Sequence, residues 1–283
     1  MPLKDLLVCI DESEPARARL DFAVALARIH AARLTGLFAL DLVPTLETLI
    51  RGYGGQQEFL ANYAALRDRA RDTAARLEAE FSDRLRREDL AGEWRFVESL
   101  PAETAALHAR YADLAIVGQI DPEKPSPVDA ARLPEEVLFA SGRPALVVPY
   151  AGHFGADCER ILVGWTATRE AARALNDALP LLERAKKVAV LTINPERVAD
   201  AEPGIPAADI AHHLAQHGVV TEAATVVVDE IGTGDALLNY ASDFGADLIV
   251  MGGYGHSRAR EFVLGGMTRQ ILRQMTVPVL MSH

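Results

Sequence analysis

Residues 246–255 read Ala-Asp-Leu-Ile-Val-Met-Gly-Gly-Tyr-Gly, and residues 112–118 read Ala-Asp-Leu-Ala-Ile-Val-Gly. Each is a short apolar run that opens on Ala-Asp and stops at glycine. A run that is apolar at successive positions, rather than at alternate ones, suits a strand covered on both faces, as in a parallel sheet. The glycine suits a chain that must turn sharply where the strand ends.

Outward from these two runs, the rest of the chain also repeats. Leu6-Leu7-Val8-Cys9-Ile10-Asp11-Glu12-Ser13 parallels Ile161-Leu162-Val163-Gly164-Trp165-Thr166-Ala167-Thr168, and each leads into an alanine-rich helix, over 15–30 and 169–183. Arg143-Pro144-Ala145-Leu146-Val147-Val148 parallels Val277-Pro278-Val279-Leu280-Met281. The seam is the linker-like Pro149-Tyr150-Ala151-Gly152-His153-Phe154-Gly155, which predicts units at 1–150 and 157–283. In the second unit, strands are expected at 160–165, 187–193, 219–227, 247–252 and 278–282, with helices at 169–184, 206–217, 235–244 and 266–275. The first unit follows the same order. It adds a middle segment from Thr45 to Arg87 that breaks at Gly52-Tyr53-Gly54-Gly55, continues as a long charged helix and reads as a lid or a packing arm. The expected class is α/β: two tandem five-stranded parallel sheets with helices on both faces, joined by right-handed crossovers.

A chain of 283 residues accommodates two domains, and 49% hydrophobic with 24% charged residues describes an ordinary globular protein. No apolar run approaches the roughly 18 residues of a spanning helix. The opening MPLKDLLVCIDESEP turns acidic early and shows no secretory signal. Two cysteines, Cys9 within a strand and Cys158 near the linker, suit a reducing compartment without a disulfide framework, so a cytoplasmic location is expected. A net charge of −11 argues against nucleic acid and anionic membrane as partners. It leaves a phosphate ligand open, because a local cluster of backbone N–H groups holds an anion whatever the global charge.

Ligands of open parallel sheets sit outside the carboxyl ends of the strands. After the strand ending at Gly252 come two residues, Gly255, nine residues, Gly265-Gly266 and a helix with Thr268 in its first turn. Unpaired N–H groups and the helix dipole at such a start favour negative charge. This is the pattern of a phosphate cradle. Two other phosphate loops are excluded: no Gly-Lys-Ser/Thr ends a P-loop, and Gly253-Tyr254-Gly255-His256-Ser257-Arg258 has arginine where a dinucleotide loop needs its third glycine. His256, Arg258 and Arg260 read as a solvated loop. In the first half, Gln119-Ile120-Asp121-Pro122-Glu123-Lys124-Pro125 replaces the glycines with acids and prolines, which repel phosphate and remove donors.

No catalytic or metal constellation emerges. His213 and His217 share a helix face but lack an H-E-x-x-H partner, and read as a solvated helix end. Ser13 and Ser257 have no His/Asp partners at motif spacing. Glu78, Glu80, Asp83 and Glu88 fall on helical faces. With no lysine or general base placed, any hydrolysis of a bound phosphate ester would be slow.

The spacing Gly252-x2-Gly255-x9-Gly265, the duplicated βα order and the ending Thr276-Val277-Pro278-Val279-Leu280-Met281 resemble the universal stress protein family in its tandem form. The family's motif ends in Ser or Thr where this chain has Gly266, with Thr268 two residues on. The resemblance implies a Rossmann-like, adenine nucleotide alpha hydrolase-like fold, and members that bind ATP or no nucleotide. It implies pairing through the last strand: here an intramolecular pseudo-dimer of the two halves, with a homodimer of chains beyond it. The family's adenine-contacting aspartate corresponds to Asp11 in the first half and Thr166 in the second, and its backbone contact after the second strand falls near Ile193. The implied site therefore comprises Gly252, Gly255, Gly265, Gly266 and Thr268 for the phosphates, with Thr166 and Ile193 for adenine. The expected cofactor is ATP with Mg2+ as its companion, and the expected role a stress-response binding module. A scaffold of the same fold with an empty pocket, and an enzyme acting on a nucleotide, remain open.

Overall fold

The apolar runs become strands of a single sheet. The computed structural model describes residues 2–42, 56–124, 132–197, 207–253 and 266–283. Its strands are β1 (Asp5–Cys9), β2 (Arg33–Ala39), β3 (Gly92–Val97), β4 (Leu114–Gly118), β5 (Ala145–Val148), β6 (Arg160–Gly164), β7 (Lys187–Ile193), β8 (Thr221–Val226), β9 (Leu248–Gly252) and β10 (Val279–Ser282). The α-helices are α1 (Pro15–His30), α2 (Gln56–Arg87), α3 (Pro101–Ala109), α4 (Leu133–Ala140), α5 (Arg169–Leu182), α6 (Ala207–Gln216), α7 (Thr233–Phe244) and α8 (Gly266–Gln274).

The strand order is β3-β2-β1-β4-β5-β10-β9-β6-β7-β8. Every pairing is parallel except that of β5 with β10, where Ala145 faces Met281 and Val147 faces Val279 in antiparallel register. Two five-stranded halves of the same order thus meet at their last strands. One apolar layer packs Phe22 of α1, Phe81 of α2, Leu175 of α5 and Leu214 of α6 on one face of the sheet. The other packs Ala105 of α3, Val137 of α4, Leu237 of α7 and Ile271 of α8 on the opposite face. Central strands buried on both sides explain why their sequences are continuously apolar.

Local chemistry sets the element ends. Pro15 opens α1, where its missing N–H costs nothing, and Ala31 closes it in the left-handed conformation with its N–H on the carbonyls of Ala27 and Arg28. Thr168 caps α5, its hydroxyl accepting from the Ala171 N–H at 3.2 Å. The repeated Ala-Asp also has a role. Asp113 accepts from the amides of Lys4 (2.7 Å) and Asp5 (3.0 Å), and Asp247 from those of Glu159 (2.8 Å) and Arg160 (3.1 Å). Each aspartate ties the start of one strand to the start of its neighbour.

Most predicted boundaries hold within two residues. The run expected at 219–227 pairs only over 221–226, because β8 is an edge strand whose register on β7 ends there, leaving Val220 and Val227 exposed. The inserted segment supplies α2, the crossover from β2 to β3, which packs as an arm through Phe81 against Trp94 (ring centroids 5.6 Å apart). The Gly-Tyr-Gly-Gly break lies outside the described residues. Cys9 and Cys158 are free and buried, and burial pushes each thiol up to about 12. No helix among the described residues is long and apolar enough to cross a membrane.

Candidate functional site

Within the second half, β6 and β9 are neighbours whose chains leave toward opposite faces, β6 into α5 and β9 toward α8. Such a switch point leaves a crevice at the carboxyl ends of the two strands. Thr166 and Gly252 stand at its two sides, and Ile193 ends the next strand, β7. Leu162, Leu191 and Ile193 face the α7/α8 layer, and Thr166 follows Leu162 and Gly164 at the same parity. The sheet thus brings Thr166 and Ile193 to the side on which α8 begins.

Two helix starts lie near this crevice, and they differ. The first turn of α5 is already satisfied: Thr168 caps it, and Glu170, buried in that turn, takes a 2.5 Å ion pair from exposed Arg169. Burial raises the Glu170 pKa, but the Arg169 guanidinium and the local backbone outweigh it and hold the carboxyl below its usual value. The first turn of α8 carries no acidic residue. Among the described residues, a Cβ on Gly266 would meet nothing within 4 Å, and Thr268 is buried in the same turn. Of the two helix starts, that of α8 is the one without an acid in its first turn, which suits an anion.

The sequence-predicted residues divide accordingly. Thr166 follows the end of β6, Ile193 ends β7, and Gly266 and Thr268 stand in the first turn of α8. Gly255 and Gly265, with His256, Arg258 and Arg260, lie outside the described residues. Gly252 ends β9 as expected, but its bareness has a packing cause: a Cβ there would lie 2.5 Å from the Ala171 nitrogen and 2.7 Å from the Glu170 carbonyl carbon. A Cβ on Gly253 would lie 2.7 Å from Leu138 of α4 in the other half. Thr166 is not the helix cap. Its hydroxyl sits 3.3 Å from that of Thr168, which is.

The corresponding position in the first half is built differently. Asp11 accepts from the Arg19 Nη2 at 2.6 Å and from the Ser13 amide at 2.8 Å. Arg19 is 4% exposed, and its Nε donates to the Cys9 carbonyl at 2.7 Å. Partial burial raises the Asp11 pKa, but the Arg19 guanidinium and the Ser13 contacts prevail and the carboxyl titrates below its ordinary value. Gln119, at the end of β4, is buried; its side-chain amide donates to the Leu272 carbonyl of α8 (3.0 Å) and accepts from the Tyr150 amide (3.2 Å). Arg19 was not singled out by sequence. Its signal was there: it falls on the apolar stripe of α1 with Ala16, Ala23 and Ala27. The rings of His213 and His217 pack edge to face at 4.9 Å, and no group of three potential metal ligands occurs among the described residues.

A model of the universal stress protein family matches residues 158–283. A universal stress protein of Synechocystis sp. is 46% identical over 46 residues, a segment spanning 16% of this chain and 16% of that relative's length. Among solved structures, a universal stress protein from Archaeoglobus fulgidus aligns over 98% of this chain and 95% of its own, with a TM-score of 0.73 and 16% identity. A protein of unknown function from Pseudomonas aeruginosa aligns over 99% of this chain and 92% of its own, with a TM-score of 0.59 and 16% identity. The structural likenesses, at such identities, speak for the fold of both halves. The carboxyl-terminal half belongs to the universal stress protein family, and the chain as a whole carries the tandem form of that fold.

Proposed function

We propose that the carboxyl-terminal unit, residues 157–283, binds an adenine nucleotide and serves as a stress-response binding module, with 1–150 as its companion unit. One observation carries this reading: α8 is the helix that follows β9 of the β6/β9 switch point, with no acid in its first turn and, among the described residues, nothing within 4 Å of a Cβ on Gly266. In this reading Gly255, Gly265, Gly266 and Thr268 hold the phosphates of ATP, with Mg2+ beside them. Thr166 and the backbone at Ile193 hold the adenine. A helix start contributes about 0.3–1 kcal/mol per anionic group, and up to about 2 where partly buried, so several amides must act together. The sequence places no lysine or general base here, so any hydrolysis in this reading is slow.

A second reading rests on a specific observation. Gly252 and Gly253 are both accounted for by packing, one against α5 and one against Leu138, so these two glycines require no ligand. A scaffold with an empty crevice would keep them as well.

Mass spectrometry of small molecules released from the full chain, after incubation with ATP and Mg2+ and removal of the excess, separates the readings. Nucleotide at up to one equivalent per chain supports the first. Its complete absence contradicts it.

A further inference from the structure

A cavity of about 450 Å³ opens at the carboxyl ends of β1 and β4 in the first half. We propose that it is a second ligand site, for a neutral, unphosphorylated heterocycle whose edge presents an N–H donor beside a carbonyl acceptor.

The floor sets the edge chemistry. Of the five guanidinium N–H groups of Arg19, one goes to the Cys9 carbonyl and one to Asp11. Nη1 lies over Gly118, 2.0 Å from where a Cβ would be, and makes no hydrogen bond among the described residues. It can donate to a carbonyl. Beside it Asp11, its side chain 54% exposed, takes Arg19 on one oxygen and Ser13 on the other, and keeps lone-pair capacity to accept an N–H. The pair thus offers a donor and an acceptor side by side.

The walls set shape and polarity. Phe38, Leu40, Ala105, Ile120 and Leu133 give an apolar slot suited to a flat ring system, and the volume is that of a small-molecule pocket.

The charges set what is excluded. Arg19 is paired with Asp11, Lys124 with Asp121 (3.7 Å), and Glu12 at the rim with Arg76 (3.2 Å). Each of these cations is matched by a carboxylate, so no net positive charge is left to balance a phosphate. Placing a phosphate here would desolvate it beside Asp11 and Asp121 without a compensating charge.

This site is independent of the carboxyl-terminal one, so the test closes the latter. In the full chain carrying Gly266→Asp, calorimetric titration is run with hypoxanthine, whose N1–H and C6 carbonyl form such an edge, and with inosine monophosphate. The expected result is saturable binding of hypoxanthine, one per chain, at least tenfold tighter than the monophosphate. That binding weakens at least tenfold on Arg19→Leu. Asp11 is exposed enough to tolerate losing its partner. A second variant, Gly118→Ala, displaces only the flexible end of Arg19 and weakens hypoxanthine in the same direction. Absence of saturable hypoxanthine binding, equal or tighter binding of the monophosphate, or an affinity unchanged in a folded variant would overturn the proposal.

Discussion

Gly252 is constrained by backbone on the opposing helix. The Ala171 nitrogen and Glu170 carbonyl carbon that a Cβ would meet cannot retreat without shifting the start of α5. Gly252→Ala is therefore expected to cost about 1–3 kcal/mol in urea unfolding, whereas Gly266→Ala, whose Cβ meets nothing within 4 Å among the described residues, changes stability by less than about 0.5 kcal/mol. His30 gives a pH dependence. Burial, then the charges of Arg184 and Lys4, lower its pKa from 6.5 to about 4, and its Nε2 has no partner. The unfolded chain takes up this proton below pH 6.5 and the folded chain only near 4, so the contribution is complete above 6.5 and is lost as pH falls. It amounts to about 2 kcal/mol between pH 7 and 5. Urea midpoints of His30→Leu should fall less steeply than those of the parent over that interval; parallel curves would reject this. At this scale the sequence showed where glycines stand but not what they touch. Gly252 read as room for a ligand because Ala171 is distant along the chain.

At the scale of elements, the strands were legible because double burial writes itself as an uninterrupted apolar run. Thus β4, β6 and β9 fall within a residue or so of their predicted ends. The inserted helix α2 was legible too, as a long charged helix after the Gly-Tyr-Gly-Gly break, but its packing was not. Its 32 residues carry many charges, and the few that matter, Ala70, Ala74, Leu77, Phe81 and Leu85, are buried against β2 and β3, whose position no local pattern gives. Phe81→Ala should cost about 3–5 kcal/mol, since it empties the space beside Trp94 and over Gly36 of β2. A thermal midpoint within about 2 °C of the parent would show that the arm is dispensable. The end of β4 is another case. Gln119 read as part of a degenerate loop, yet its amide links the first half to the Leu272 carbonyl of α8.

At the scale of the molecule, the duplication and its parallel order could be read from the sequence, and β5 with β10 closes them into one ten-stranded sheet. The three residues of β10 that face β5 are at most 1% exposed. Freed of the first half, residues 157–283 would present that apolar edge to water. The isolated fragment is expected to dimerise, and light scattering that finds only monomer at tens of micromolar would contradict this. Differences between the halves were partly legible: the loss of glycines after β4 was plain, while the Asp11–Arg19 pair that fills the vacated position required the fold to bring residues of β1, α1 and β4 together. The account rests most on the carboxyl-terminal crevice. Its direct test is calorimetric titration of ATP with Mg2+ into the full chain, into Gly266→Asp and into Arg19→Leu. The account predicts one site per chain, weakened at least tenfold by Gly266→Asp and unchanged by Arg19→Leu. Binding insensitive to Gly266→Asp, or no binding by the parent chain, would contradict it.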